Sequence, residues 1–419
     1  MHASAPHPVL RHAALLGGII TVLEAGSGCP TTSTEPTEDG ATTSVSSSAG
    51  SSSSSSSGAG STSTAATGTS SSGAGSSSGA ASTSSSSGTG LAAPAVQTVT
   101  RYFPDNAPWY QDVTNAPVAA DSADITSWMV GHSPPHGWGT EDMRVDFSIV
   151  AVEVPAGTTK RTHESVEGYF YTPDCDTAAI PVTPYGAVEE TYGTPTELSS
   201  PFSGYNCGGF DDGADCHMLF VARSENRLYE VYHATIDDTD TFRTGCLAIW
   251  DTQTVSADGR GQQCTSADAA GFPIAPLLFT PEEIAAGEIN HALRFILPND
   301  MIRQRRYVAP ATHGTNTTGP TTSGPYGFHM RLRADYPVEN LDPAAQVVAR
   351  ALQRYGMYLA DGGRITLTAQ SDVLSTVKWA DVGFDPFSLA ALSATDFEVI
   401  DHGPTTDVTY DCQRTPITQ

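Results

Sequence analysis

Lysine is almost missing from this chain: Lys160 and Lys378 are the only two in 419 residues. All basic side chains together number 20 against 46 acidic ones, a formal net charge of −26. Without a Lys/Arg field to neutralise phosphates, general nucleic-acid binding is excluded. Charge of either sign is sparse, at 16% of residues, and glycine, serine and threonine fill its place. Thr31 to Gly90 has no aromatic and no basic residue. Such a stretch buries too little apolar surface to offset the entropy of ordering. Motifs are lacking as well. The foldable part has no GxSxG elbow, HExxH pair, P-loop or GxGxxG turn, and no CxxC or Cys/His spacing for zinc. No cofactor and no metal is therefore expected.

What is present begins with an address. Arg11 and nearby histidines precede an apolar run, Ala13 to Leu23, too short to span a bilayer and suited to the core of an export signal. The run ends at Gly26-Ser27-Gly28-Cys29, which resembles a bacterial lipobox, although Gly26 stands where leucine is usual. The reading is a signal over 1–28 with lipidation at Cys29; cleavage near Ala25 is the alternative. Residues 29–90 form a stalk with an average reach of about 40–50 Å. Residues 91–419 form one globular head. Its net charge is −23, since four acids and one arginine precede it. With Cys29 set aside, six cysteines remain, an even number for an exported protein. Spacing favours the pairs Cys207–Cys216, Cys246–Cys264 and Cys175–Cys412.

The head reads as β-rich α+β, a sandwich or barrel-like sheet core with a few packed helices. Phe147 to Val154, Cys246 to Trp250, Glu288 to Leu297 and Phe328 to Tyr336 have strand character. His217 to Arg223 and Arg227 to His233 flank Ser224-Glu225-Asn226 as a hairpin. Thr280-Pro281-Glu282-Glu283 is a capping box that opens a helix ended by Gly287. A longer helix begins at Asp342-Pro343, and a third at Asp385-Pro386 runs to about Leu392.

Candidate chemistry is dispersed. As a strand, Glu288 to Leu297 places His291 on an apolar face and Glu288 with Arg294 on the other. Between Arg294 and Arg333 lie six arginines and one acid, Asp300. If the Arg331/Arg333 face lies beside Arg294, a basic wall results that suits carboxylates such as uronates. Otherwise these arginines pair with the head's abundant acids. On the hairpin Asp215 and His217 share a direction, and Glu230 lies on the returning strand. A turn at Thr265 to Asp268 presents Asp268. Carboxylates across a cleft suit glycoside hydrolysis. His132 and His136 with Glu141 and Asp142 form a loop rather than a helical ligand pair. Trp109, Trp128 and Trp138 suit either sugar stacking or core packing.

Several segments together resemble a family of exported bacterial proteins that has no established activity. They are Asp215-Cys216-His217, Leu228 to Tyr232, Thr265 to Pro273 (TSADAAGFP), Gly287 to Phe295 (GEINHALRF), Tyr307 to His313 (YVAPATH), Arg331 to Ala334 and Ala351 to Asp361 (ALQRYGMYLAD). The chain departs from that pattern at Cys216, where arginine is usual. The resemblance implies an exported single domain and highlights Asp215, His217, Glu230, Asp268, Glu288, His291, His313, Arg331 and Asp361. The expected function is a carbohydrate-active surface lipoprotein, a polysaccharide hydrolase or lyase, held at the outer membrane or cell surface by its lipid alone. The alternative is a non-catalytic binding or adhesion module. Expected catalytic groups are Asp215, His217, Glu230, Asp268, Glu288, His291 and His313, with Arg294, Arg331, Arg333 and Asp361 on substrate. A glycan is the expected partner; the sequence leaves the oligomeric state open.

Overall fold

The computed structural model describes residues 101–191, 198 and 200–419. The signal, Cys29 and the stalk lie outside them. The described chain is a β-rich α+β fold of two large mixed sheets and two two-stranded ones with few helices, and no sheet closes into a barrel among these residues. The six-stranded sheet has the order Val145–Ile149, Leu367–Gln370, Leu293–Leu297, Met357–Gly362, His329–Leu332, Phe397–Val399. The five-stranded sheet has the order Ala151–Glu153, Met218–Ala222, Arg227–Ile236, Phe242–Asp251, Glu164–Ser165.

The apolar run Phe147 to Val154 serves both sheets. It leaves the larger one at Ile149 and joins the smaller one at Ala151. Val145, Ile149 and Ala151 pack into the larger core, while Val150, Val152 and Val154 pack into the smaller. The hairpin forms as read, with Asn226 closing its turn at φ 52°, a left-handed conformation that Asn tolerates. Its period-2 alternation sends Leu219, Val221 and Leu228 into the larger core and Met218, Phe220, Tyr229 and Val231 into the smaller. Glu230 sits opposite Leu219, so it too faces the larger core.

Among the described residues four α-helices accompany the sheets: α1 (Ser122–His132), α2 (Pro281–Ala286), α3 (Pro343–Arg354) and the single turn α4 (Trp379–Val382). The capping box of α2 is complete. Thr280 Oγ1 accepts from the Glu283 amide at 3.2 Å and Glu283 Oε2 accepts from the Thr280 amide at 2.9 Å. Gly287 ends the helix at φ 83°. α3 buries Ala344, Val347, Val348, Ala351 and Leu352 at helical spacing. The helix expected from Asp385 is a series of turns. Asp385 Oδ1 caps the start by accepting from the Phe387 amide at 2.8 Å, but the backbone then closes i→i+3 bonds, Ser388 N to Asp385 O, Ala390 N to Phe387 O and Leu392 N to Leu389 O, rather than an i→i+4 ladder. The Glu288–Leu297 strand is real only from Leu293, and Phe328–Tyr336 only over His329–Leu332.

Cys207 and Cys216 pair as expected, but the other two disulfides are Cys175–Cys246 and Cys264–Cys412. A bridge between Asp176 and Leu247 lays Cys175 directly beside Cys246, a proximity that chain spacing does not reveal. The freed Cys264 then meets the C-terminal segment, with a Cα–Cα distance of 4.6 Å. Three disulfides suit an exported chain in an oxidising compartment.

Candidate active site

The site is built on one face of the larger sheet. Arg294, in the strand Leu293–Leu297, pairs in register with Tyr358, so both point the same way. Three residues on, Asp361 would point to the opposite face in a regular strand. The register instead runs Leu359 with Phe295 and then Asp361 with Ile296. This bulge at Ala360 returns Asp361 to the Arg294 face, the re-aiming that bulges perform.

Asp268 comes from the Thr265–Pro273 loop, whose geometry is fixed from several sides. Ser266 Oγ accepts from the Asp268 amide at 2.9 Å, and the Ala270 amide donates to Ala360 O at 2.8 Å. The Gly271 amide donates back to Asp268 O at 2.9 Å in a turn with φ +79°, and a Cβ there would lie 2.3 Å from Thr312 Oγ1. Only glycine fits that position. The loop thus places Asp268, fully buried, against Arg294. Nε and Nη2 donate to its two oxygens at 3.1 and 2.9 Å, a bidentate fork. Nη1 donates to Thr368 Oγ1 at 2.7 Å, and Nη2 also reaches Asp361 Oδ2 at 3.3 Å.

Two carboxyls therefore share one guanidinium and lie within hydrogen-bond reach of each other. Burial, then the charge of Asp268, raises the Asp361 carboxyl well above the usual range, against the pull of Arg294. The two adjacent acids thus compete for one guanidinium, and it is the Asp361 carboxyl whose protonated form this favours. Its side chain is 25% exposed, whereas that of Asp268 is wholly buried.

A second tier surrounds the pair. His217 sits between Glu189 Oε2 at 2.6 Å from Nδ1 and Ala267 O at 3.0 Å from Nε2. Both ring nitrogens face acceptors, so the ring is an imidazolium. Burial opposes that charge, but Glu189 and Asp215 lift its pKa to about 10. Burial alone would raise Glu189; the imidazolium holds it below the usual range instead. Asp215 is open to water but walled by protein. That lost solvation raises its carboxyl, with Glu189 adding to the effect and His217 opposing it. Asp146 is likewise raised by burial, although Ser148 donates to it through N and Oγ at 3.0 and 2.8 Å. Tyr232 projects into the same space, its hydroxyl raised by burial and then by Asp215 and Asp361. Tyr169 lies 6.1 Å from the Tyr232 ring and stacks on His233 at 3.8 Å.

Of the residues singled out in the sequence, Asp215, His217, Asp268, Arg294 and Asp361 thus meet in one cleft. His313 borders it, donating through Nδ1 to Ala269 O at 2.7 Å, and burial lowers its pKa. Glu230 is behind the cleft and sealed. Its carboxyl accepts from Ile274 N, Ala275 N and Trp250 Nε1 at 2.7–2.9 Å, and burial pushes its pKa up to about 7. His291 is a core histidine held by Glu283 at 3.1 Å and Ala292 O at 2.8 Å. Glu288 is exposed beside Arg354, outside the cleft.

The basic wall does not form, because each arginine of that segment has its own acceptor. Arg331 binds Glu398 across the strand pair and Val113 O, Arg333 binds Asp335, Arg306 binds Asp407, and Arg303 binds Asp121. Arg305 donates to Val408 O at 2.9 Å. In register Arg331 shares the sheet face of His329, Tyr358 and Arg294, but Glu398 neutralises it, and Arg333 lies beyond the strand end. His132 and His136 go to separate partners, Asp300 at 3.3 Å and Asp142 at 2.7 Å, so they share no ligand geometry. Trp138 is wholly buried and donates to Leu392 O, Trp109 is buried, and Trp128 stacks on His132. Glu189, Asp146 and Tyr232 belong to the cleft but were not singled out. Glu189 and Asp146 had no periodic neighbours to mark them. Tyr232 had its shared parity with Glu230 as a signal.

No family model matches the chain, and no curated protein or solved structure is similar to it.

Proposed function

We propose that the head hydrolyses glycosidic bonds in this cleft, and that a lipid on Cys29 and the stalk hold it at the outer membrane or cell surface. The observation that carries the reading is the placement of Asp361: a carboxyl partly open to water, backed by the Asp268–Arg294 pair and raised by burial and by Asp268. Asp361 donates its proton to the leaving glycosidic oxygen. Asp215, across the mouth, is the second carboxyl that activates water or attacks the sugar. Six carboxyls (Asp146, Glu189, Glu190, Asp215, Asp268 and Asp361) share this region with two cations, Arg294 and His217. That balance disfavours uronates and favours glycans without carboxylates.

A turnover screen of the full chain over a glycan library tests the reading. Asp361→Asn and Asp215→Asn are expected to lose product formation, and Glu288→Gln to retain it. The thorough internal satisfaction of Asp268 favours a second reading, a binding or adhesion module using the same cleft. Glycan capture with no product from any glycan would select it.

A further inference from the structure

Among the described residues four large apolar or aromatic side chains stand exposed: Val118, Tyr171, Phe387 and Tyr410. The two tyrosines belong to one place. The segments that carry them are tied together, since Arg414 Nη1 donates to Pro173 O at 3.0 Å and to Asp174 O at 2.9 Å. Each segment is also fastened by its own disulfide. Cys175–Cys246 follows Tyr171 by four residues, and the Tyr171 carbonyl accepts from the Cys175 amide at 2.8 Å. Cys264–Cys412 follows Tyr410 by two residues and binds it to the loop that carries Asp268.

Tyr410 is also held in a left-handed backbone conformation, φ 63°, which costs a bulky residue on the order of 1–3 kcal/mol. Its surroundings impose this. Thr409 donates through its amide to Gln263 Oε1 at 2.7 Å, and Val408 to Arg305 O at 3.0 Å. Burial does not offset the strain, because the ring remains 47% exposed. The ring lies 5.5 Å from that of His313, which is bonded to Ala269, the neighbour of Asp268. Tyr171 lies close enough to raise the hydroxyls of Tyr232 and Tyr410, so both exposed tyrosines border the acid–base cluster on a rigid mount.

We propose that Tyr171 and Tyr410 form a sugar-stacking subsite that seats a pyranose ring lacking a carboxylate next to Asp361. A tyrosine offers an apolar face to the C–H side of a sugar ring and a hydroxyl to its polar rim. A nucleobase could use the same faces, but its phosphates would meet the carboxyl-lined cleft. The inference rests on the glycan reading above and names the positioning surface that reading requires.

The test uses the full chain with wild type, Tyr171→Ala, Tyr410→Ala and the corresponding phenylalanine variants. Each is assayed on the glycan the wild type cleaves, or by calorimetry on one it only binds. Free-thiol titration and melting temperature verify that each variant keeps its disulfides and fold. Each alanine variant is expected to raise KM or Kd by about tenfold with kcat within about threefold, and phenylalanine to restore most of the loss. Unchanged KM and Kd in both folded alanine variants would overturn the subsite and leave the glycan reading standing. A wild type that neither binds nor cleaves any glycan would overturn both.

Discussion

Glu230 and Asp361 are both carboxyls that burial pushes upward, yet their surroundings could hardly differ more. Glu230 has no exposure, and three neutral donors, two backbone amides and an indole N–H, occupy its oxygens. Asp361 faces a second carboxyl, shares a single guanidinium with it, and keeps contact with water. Glu230 has nowhere to send a proton, so its raised pKa is only a cost of folding around a polar group. Asp361 has a cleft in front of it and the Asp268–Arg294 pair behind it. A shifted pKa marks chemistry only where the group can also reach a substrate.

The sharpest way to break this contrast is to neutralise the accessible member. Asp361→Asn is expected to lower turnover of the glycan substrate by about 10²–10⁴-fold while the protein stays folded, as measured by steady-state kinetics beside circular dichroism. A fully active variant would move the chemistry elsewhere. Next in size, Arg294→Ala leaves Asp268 buried without its cation and is expected to cost about 3–5 kcal/mol in denaturant unfolding. A loss near zero would mean that the fork does not hold the site.

Glu230 supplies a pH-dependent effect. Its carboxyl titrates at about 7 in the fold against an ordinary 4.5, so the folded state binds more protons between those values. Stability contributed by this group therefore falls as pH rises from 4.5 to 7, by at most about 1.4 kcal/mol per pH unit. The difference in unfolding free energy between wild type and Glu230→Gln should change across that range with this slope, since all other titrating groups are common to both. Parallel profiles would show that Glu230 is ionised without penalty. The smallest effect lies outside both regions: Thr280→Ala removes one side of the α2 capping box and should cost about 1 kcal/mol in the same unfolding assay.

Local signals were the legible ones. The hairpin at Asn226, the capping box at Thr280 and the apolar spacing of α3 each depend on neighbours within a few residues, and each formed. The extended reading of Glu288 to Ala292 failed because His291 is drawn to Glu283, a tertiary contact with no pattern in the chain. α1 went unread because its buried face mixes Ile125 and Met129 with Ser122 and Thr126, so it lacks an apolar stripe. Of the disulfides, Cys207–Cys216 followed spacing, whereas Cys175–Cys246 followed strand adjacency and Cys264–Cys412 the approach of the C-terminal segment.

For the site, the residue types around Asp268, Arg294 and Asp361 were visible, but their meeting depends on the Ala360 bulge and on the loop turned at Gly271. Local charge also misled. The excess of arginine from Arg294 to Arg333 is real in sequence and vanishes in space, because acids such as Glu398, Asp121 and Asp407 arrive from distant segments.

The central claim is that burial and the neighbouring Asp268 hold the Asp361 carboxyl well above the ordinary aspartate range. Carbon-13 NMR titration of the aspartate side-chain carboxyls, with Asp361 assigned by its absence in Asp361→Asn, measures this directly. The account predicts that the Asp361 carboxyl remains protonated well above the ordinary aspartate range, and that it shifts further when Arg294 is replaced. A carboxyl that titrates with the exposed aspartates, near their ordinary value of 3.8, would contradict it.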